Sequence, residues 1–194
     1  MRRTAAGTRE RFGHVESRFP GEGDSILPIH RRYLIGEQGL GSAIINFIIN
    51  GGIAWAVYRP MAAVPTWGEK SIAGDTVVTA FLLPFMVCLI VTPLARRKIR
   101  NGELPVIEWR RVSHRVLGRL PNSTFLRAFI FGLIGAVSAG SLTLLVLSIV
   151  GITELPLVEF LIFKSTFAAV LAGVVTPVSA LCAIGDACDP EKQG

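Results

Sequence analysis

IAGDTVVTAFLLPFMVCLIVTPLA, residues 72–95, carries a single charged residue, Asp75, and then meets Arg96-Arg97-Lys98-Ile99-Arg100. Roughly 20 apolar residues in a helix cross the hydrocarbon core of a bilayer, and a basic cluster straight afterwards is where such a helix stops. The stretch lacks the period-2 alternation of a barrel strand, so it reads as a membrane helix. Three more stretches share its character. They are about 41–58 (GSAIINFIINGGIAWAVY), about 128–150 (AFIFGLIGAVSAGSLTLLVLSIV) and about 157–184 (LVEFLIFKSTFAAVLAGVVTPVSALCAI). The expected fold is therefore an all-α membrane protein with four transmembrane helices in a domain over 39–185, flanked by tails at 1–38 and 186–194.

Composition agrees. Of 194 residues, 51% are hydrophobic and 18% charged, against about 25% charged in a soluble domain. The net charge of +6 comes from bases that flank apolar spans. Lipid headgroup phosphates are the expected partner, and nucleic acid is not. After Met1-Arg2-Arg3 the chain stays polar to about Gln38, so no apolar signal core follows the arginines and the first span is expected to be retained.

Basic residues set the orientation, because they resist export. Arg2, Arg3, Arg9, Arg11, Arg18, Arg31 and Arg32 precede the first span. Arg96, Arg97, Lys98, Arg100, Arg110, Arg111, Arg115, Arg119 and Arg127 lie between the second and third. The other two connections hold only Arg59 and Lys70. Both termini and the loop 96–127 are expected in the cytoplasm, with Tyr58 and Trp67 in the outer aromatic belt and Trp55 one turn deeper. In that loop, Val106, Trp109, Val112, Val116 and Leu120 recur at helical spacing among arginines. This predicts a short amphipathic helix on anionic lipid, with Arg96, Arg97, Lys98, Arg100, Arg110, Arg111 and Arg115 at the phosphates; docking on a protein is the alternative.

A shift of 84 residues lays the first two spans on the last two. Phe47 meets Phe131, Gly51 meets Gly135, and Val91-Thr92-Pro93 meets Val175-Thr176-Pro177. Asp75 meets Glu159. Two tandem helical hairpins related by an axis along the membrane normal would give this pattern. Thr92-Pro93 and Thr176-Pro177 are expected bends near the inner ends, each proline freeing a carbonyl one turn back and each threonine helping to satisfy the local backbone. Their plainer reading is that they simply bend or end the helices.

Ionisable and amide groups inside spans are the candidate site. Asp75 and Lys164 lie at similar depth, so they can pair, although a lysine that snorkels outward is the plainer expectation. Asn46 and Asn50 are four apart and share a helix face that should turn from lipid, either toward another helix or toward a polar crevice. Gly132, Ala136 and Gly140 form a small-residue stripe for close helix packing.

Several chemistries lack their residues. His14, His30 and His114 all lie outside the spans, which removes an imidazole-held metal or haem and the base of an intramembrane Ser-His protease. Cys88, Cys182 and Cys188 form no Cys-x-x-Cys, and no phosphate-binding glycine loop precedes a helix. No catalytic residue, metal or cofactor is expected.

The run INFIINGGIAWAVYRPMAAVPTWGEKSIAGDTVVTAFLLPFMVCLIVTPLARRKIRNGELP has a Pro/Trp outer turn and then a proline-bearing helix ending in a basic stop. Over roughly residues 40–105 it resembles uncharacterised bacterial inner-membrane proteins built from two-helix hairpins. The resemblance implies a bacterial inner (plasma) membrane location and supplies no activity. The function expected from the residues is a small transporter- or channel-like protein for an ion or small solute, acting as a homo-oligomer, with Asn46, Asn50, Asp75 and Lys164 on a polar pathway. The competing class is a non-catalytic scaffold or assembly protein.

Overall fold

The computed structural model describes Gly36, residues 38–101 and residues 123–186, and these are mostly helical. The helices are α1 (Gly41–Tyr58), α2 (Ile72–Arg100), α3 (Thr124–Gly135), α4 (Ser141–Val150) and α5 (Leu157–Asp186); short connections follow α1 and α4, and a wide π turn, Ala136–Gly140, makes α3 and α4 one rod. Four helical rods are thus long and apolar enough to cross a membrane. Residues 1–35 and 37 of the N-terminal tail, the Glu103–Leu120 segment with Arg110, Arg111 and Arg115, and Cys188 lie outside the described residues.

Helix ends follow from local chemistry. Ser71, in extended conformation, caps α2 by accepting from the Gly74 amide at 3.2 Å, and Ser123 does the same for the Leu126 amide of α3 at 3.5 Å. At the end of α4, Gly151 takes φ +73°. Its amide bonds Ser148 O at 3.2 Å while the Ile152 amide reaches Leu147 O at 3.1 Å, the paired bonds of a Schellman stop. Neither Thr-Pro pair ends its helix. α2 continues through Pro84 and Pro93 to Arg100, past the expected end at Ala95, and α5 continues through Pro177 to Asp186.

The turns after α1 and α4 meet. Strands β1 (Ala63–Pro65) and β2 (Glu154–Pro156) pair antiparallel with Val64 opposite Leu155, a pairing that no spacing in the sequence announces. Thr66 extends the join, its amide donating to Thr153 O at 2.8 Å and its hydroxyl to Ile152 O at 2.7 Å, and the Leu157 amide donates to Ala62 O at 3.1 Å. We call this the clasp. The second and fourth crossings, α2 and α5, both start from it and run away from it side by side.

Beneath the clasp, Ala54, Tyr58, Val64, Ile72, Leu147 and Phe160 form one buried apolar cluster. Tyr58 belongs to it, edge-on to Phe160 with centroids 4.8 Å apart, and so is not a belt residue facing lipid; Trp67 is 65% exposed. Trp55 is exposed beneath the Arg59 guanidinium.

The extensive helix contacts are α1 with α5, α5 with α2, and α2 with α3. The helices therefore lie in the order α1, α5, α2, α3–α4. Each hairpin's first helix packs on the second helix of the other hairpin, and α2 against α5 makes the centre. In the central helices 39% of the apolar window is buried, against 6% in α1 and 17% in α3–α4. The outer faces, with Ile44, Ile45, Ile48 and Ile49 on α1 and Leu142, Leu145 and Ile149 on α4, present far more apolar surface than a soluble monomer tolerates.

Glycines set the closest approaches. A methyl on Gly135 would run into the Ala80 carbonyl and come within 2.8 Å of Pro84 Cγ. Pro84 has no N–H for the carbonyl four residues earlier, and that carbonyl is Ala80 O. The proline thus opens the groove that the glycine fills. Gly132 sits less tightly on Phe81, whose carbonyl a methyl would approach to 2.9 Å, and Gly140 rests near Ala80, while Ala136 is only half-buried. On the other side of the row, a methyl on Gly51 would lie 2.5 Å from Ser165 Oγ. Gly51 and Gly135 are equivalent under the 84-residue shift, and each marks a tight crossing onto the opposite hairpin.

Candidate functional site

Asp75 lies in the first turn of α2, just past the Ser71 cap, and Thr79 comes one turn later on the same face. Across the central interface Lys164 projects from α5. Its ammonium donates to Asp75 Oδ1 and also to Thr79 Oγ1 at 3.4 Å. The lysine side chain is 6% exposed and that of the aspartate 15%. This corrects the plainer sequence expectation: Lys164 does not snorkel. α2 and α5 leave the clasp in parallel, which brings the two charges level, and a charge buried among apolar helices is tolerable only when paired and hydrogen-bonded. Tyr58 of α1 is within electrostatic reach of Asp75. Ser165, next to the lysine, is buried beneath Gly51.

Glu159, the acid equivalent to Asp75 under the shift, is exposed. The position on α2 equivalent to Lys164 is Ala80, a buried core residue. The charged cluster therefore has no match at the positions 84 residues away.

The two asparagines behave differently from the expectation. Both are half-buried on the face of α1 toward α5, but their amides turn back on their own helix. Asn46 Nδ2 donates to Ser42 O at 2.9 Å, and Asn50 Nδ2 donates to Asn46 O at 3.0 Å. Because a backbone carbonyl can only accept, these bonds fix the nitrogen as the inward end of each amide. Among the described residues no hydrogen bond joins Asn46 or Asn50 to Asp75 or Lys164.

The link between α1 and α5 is instead Ser42 with Thr176, hydroxyl to hydroxyl at 2.7 Å, with Asn46 Nδ2 adding a 3.3 Å contact to Ser42 Oγ. Thr176, expected to serve its local backbone beside Pro177, bonds across helices. Thr92 beside Pro93 is 1% exposed and meets Cys88 Sγ at 3.7 Å within α2. The polar residues thus gather in two places. A charged cluster lies near the clasp, and a neutral one, Ser42, Asn46 and Thr176, lies toward the opposite end.

At that opposite end the exposed Arg96, Arg97 and Arg100, with half-buried Lys98, close α2. Basic side chains there also complement the negative end of the helix dipole. Arg127, counted with the loop bases in the sequence, is 2% exposed in the first turn of α3, and only its nearness to a span end hinted at burial. Ser179, on the face of α5 one turn past Thr176, is fully buried and its hydroxyl has no hydrogen-bond partner. Among the described residues no three His, Cys, Asp or Glu side chains converge.

No family model, curated protein or solved structure matches the chain.

Proposed function

We propose that the chain is a multi-pass protein of a bacterial inner membrane, of small transporter or channel type for an ion or small solute. In this reading the clasp faces outward, and both termini and the basic loop lie in the cytoplasm. The observation that carries it is the buried Lys164–Asp75 pair with Thr79 in an otherwise apolar helix interface. A lysine at a helix centre costs about 2.5–3.5 kcal/mol to insert, and less toward an end, where Lys164 lies; ionisable groups kept inside a span are by default working groups. The order α1, α5, α2, α3–α4 is closer to a row than to a ring, so a second copy is needed to wall a pathway. Arg96, Arg97, Lys98 and Arg100, together with the loop arginines, hold the inner face to anionic lipid.

The test is flux of ions and small solutes into liposomes holding the purified protein, with protein-free liposomes as the baseline. Transport requires wild-type flux above that baseline and its loss in Asp75→Asn and Lys164→Met proteins that remain folded. A non-catalytic scaffold is the second reading. It is favoured by the Asn46 and Asn50 amides, whose nitrogens turn back onto α1, and by the tight glycine crossings. Baseline flux, with both variants folded, would leave the scaffold standing.

A further inference from the structure

We infer that α1 is the contact helix of a homodimer, pairing with α1 of a second copy about a two-fold axis along the membrane normal through the stripe Asn46, Ile49, Ile53 and Ala56. α1 is the least covered of the four crossings, with 6% of its apolar window buried. α5 takes the face with Gly51, Ala54 and Tyr58. Beside that face Ile49 and Ile53 are 51% and 53% exposed, Ala56 is exposed, and half-buried Asn46 stands on the border. Spacings of three, four and three put these residues on one seam, the repeat with which two helices wind closely about each other.

Exposed apolar side chains are at home in lipid and by themselves call for no partner. The asparagines do. Asn46 Nδ2 is engaged by Ser42, at 2.9 Å from its carbonyl and 3.3 Å from its hydroxyl, and Asn50 Nδ2 gives one of its two hydrogens to Asn46 O at 3.0 Å. Among the described residues neither amide oxygen accepts a hydrogen bond. Two acceptors and one N–H are therefore left over on adjacent turns, in a span where lipid offers them no partner.

The chemistry of this face makes the occupant another copy of the same chain. A stripe that carries both donor and acceptor completes its own bonds when the same stripe meets it across a two-fold axis. Identical chains insert the same way round and to the same depth, so the asparagines of two copies arrive level and in register. From Gly41 to Tyr58 there is no charged residue. Nothing on α1 therefore repels a like copy, and nothing selects a partner of opposite charge. The pairing deepens the transport reading, which calls for a second copy, by saying where that copy sits. It stands on the groups of α1 alone and holds whether or not anything is transported.

The experiment is disulfide crosslinking and association of the full-length protein in liposomes. Ile49→Cys and Ile53→Cys are each expected to give an oxidant-dependent product of twice the chain's mass, above the wild-type background from the native cysteines. Ile48→Cys, 65% exposed on another face of α1, should not. Equal products at 48, 49 and 53, or none at 49 and 53, overturn the proposal. So does a product at 49 or 53 in native membranes that joins a chain of another mass in place of a second copy. Association is then followed by energy transfer between labelled copies as lipid dilutes them. Changing both Asn46→Leu and Asn50→Leu is expected to weaken it by roughly 5- to 30-fold, the range for hydrogen bonds between membrane helices, and Asn46→Gln with Asn50→Gln should keep it. Unchanged association in the leucine protein overturns the proposal. If that protein does not fold, the crosslinks, which keep both asparagines, decide alone. Liposome flux is read separately. A dimer without flux keeps the interface and removes transport, whereas flux from a monomer does the reverse.

Discussion

The two hairpins carry the same pattern of glycine, Thr-Pro and near-clasp acid, yet they do different things with the last of these. Gly51 and Gly135 are used alike, each letting a peripheral helix drop onto the opposite central one. Asp75 and Glu159 are not used alike, for one is locked to a lysine and the other is exposed. Packing features tolerate repetition because they need only small volume at the right register. A charged cluster needs a partner, and Lys164 has no counterpart on α2, where Ala80 stands. The matched glycines set the close packing, and the single unmatched base, Lys164, makes the buried charged pair.

Removing that base should break the comparison most sharply. Lys164→Met leaves Asp75 charged among apolar helices and is expected to destabilise the protein by about 3–5 kcal/mol in detergent unfolding, whereas the double change to Asp75→Asn and Lys164→Met recovers most of that loss. Glu159→Gln tests the other acid by the same measurement and is expected to stay within about 0.5 kcal/mol of wild type.

The glycines test the likeness rather than the difference. Gly135→Ala drives a methyl into backbone at Ala80 and should lower stability by about 1–3 kcal/mol, the usual range for overpacking. Gly51→Ala meets only the Ser165 side chain, so it should cost less, and Ser165→Ala in the same chain should restore it. Gly52→Ala, with nothing nearby, serves as the control. Smallest of the set is Thr176→Val, which removes the bond to Ser42 and is expected to cost about 0.6 kcal/mol, the average for a hydrogen bond between membrane helices.

The spans were legible because length and apolarity are local properties. The bounds of α1 and the starts of α2 and α5 fall where the residues place them, and α3 starts at Thr124, four residues before the expected Ala128. The partners of each helix were not legible. Nothing near Ala63 announces Pro156, and nothing in Pro84 says that Gly135 will use the groove it opens. Asn46 and Asn50 were placed on the right face, but their bonding partners were not foreseen, because an amide inside a helix can turn to its own backbone as readily as to a neighbour. Lys164 against Asp75 depended on the register between α2 and α5, which spacing within either helix does not encode.

The clasp bears on how this molecule can move. Its hydrogen bonds staple together two turns that belong to different hairpins, so the ends of the helices beside it share one hinge. Shifting α2 relative to α5 while that staple holds becomes a rocking motion whose amplitude grows with distance from it. The widest excursion then falls at the far end, where Arg96, Arg97, Lys98 and Arg100 sit. Amide exchange should accordingly be slowest at Thr66 and Leu157 and quicken along the central helices toward those bases.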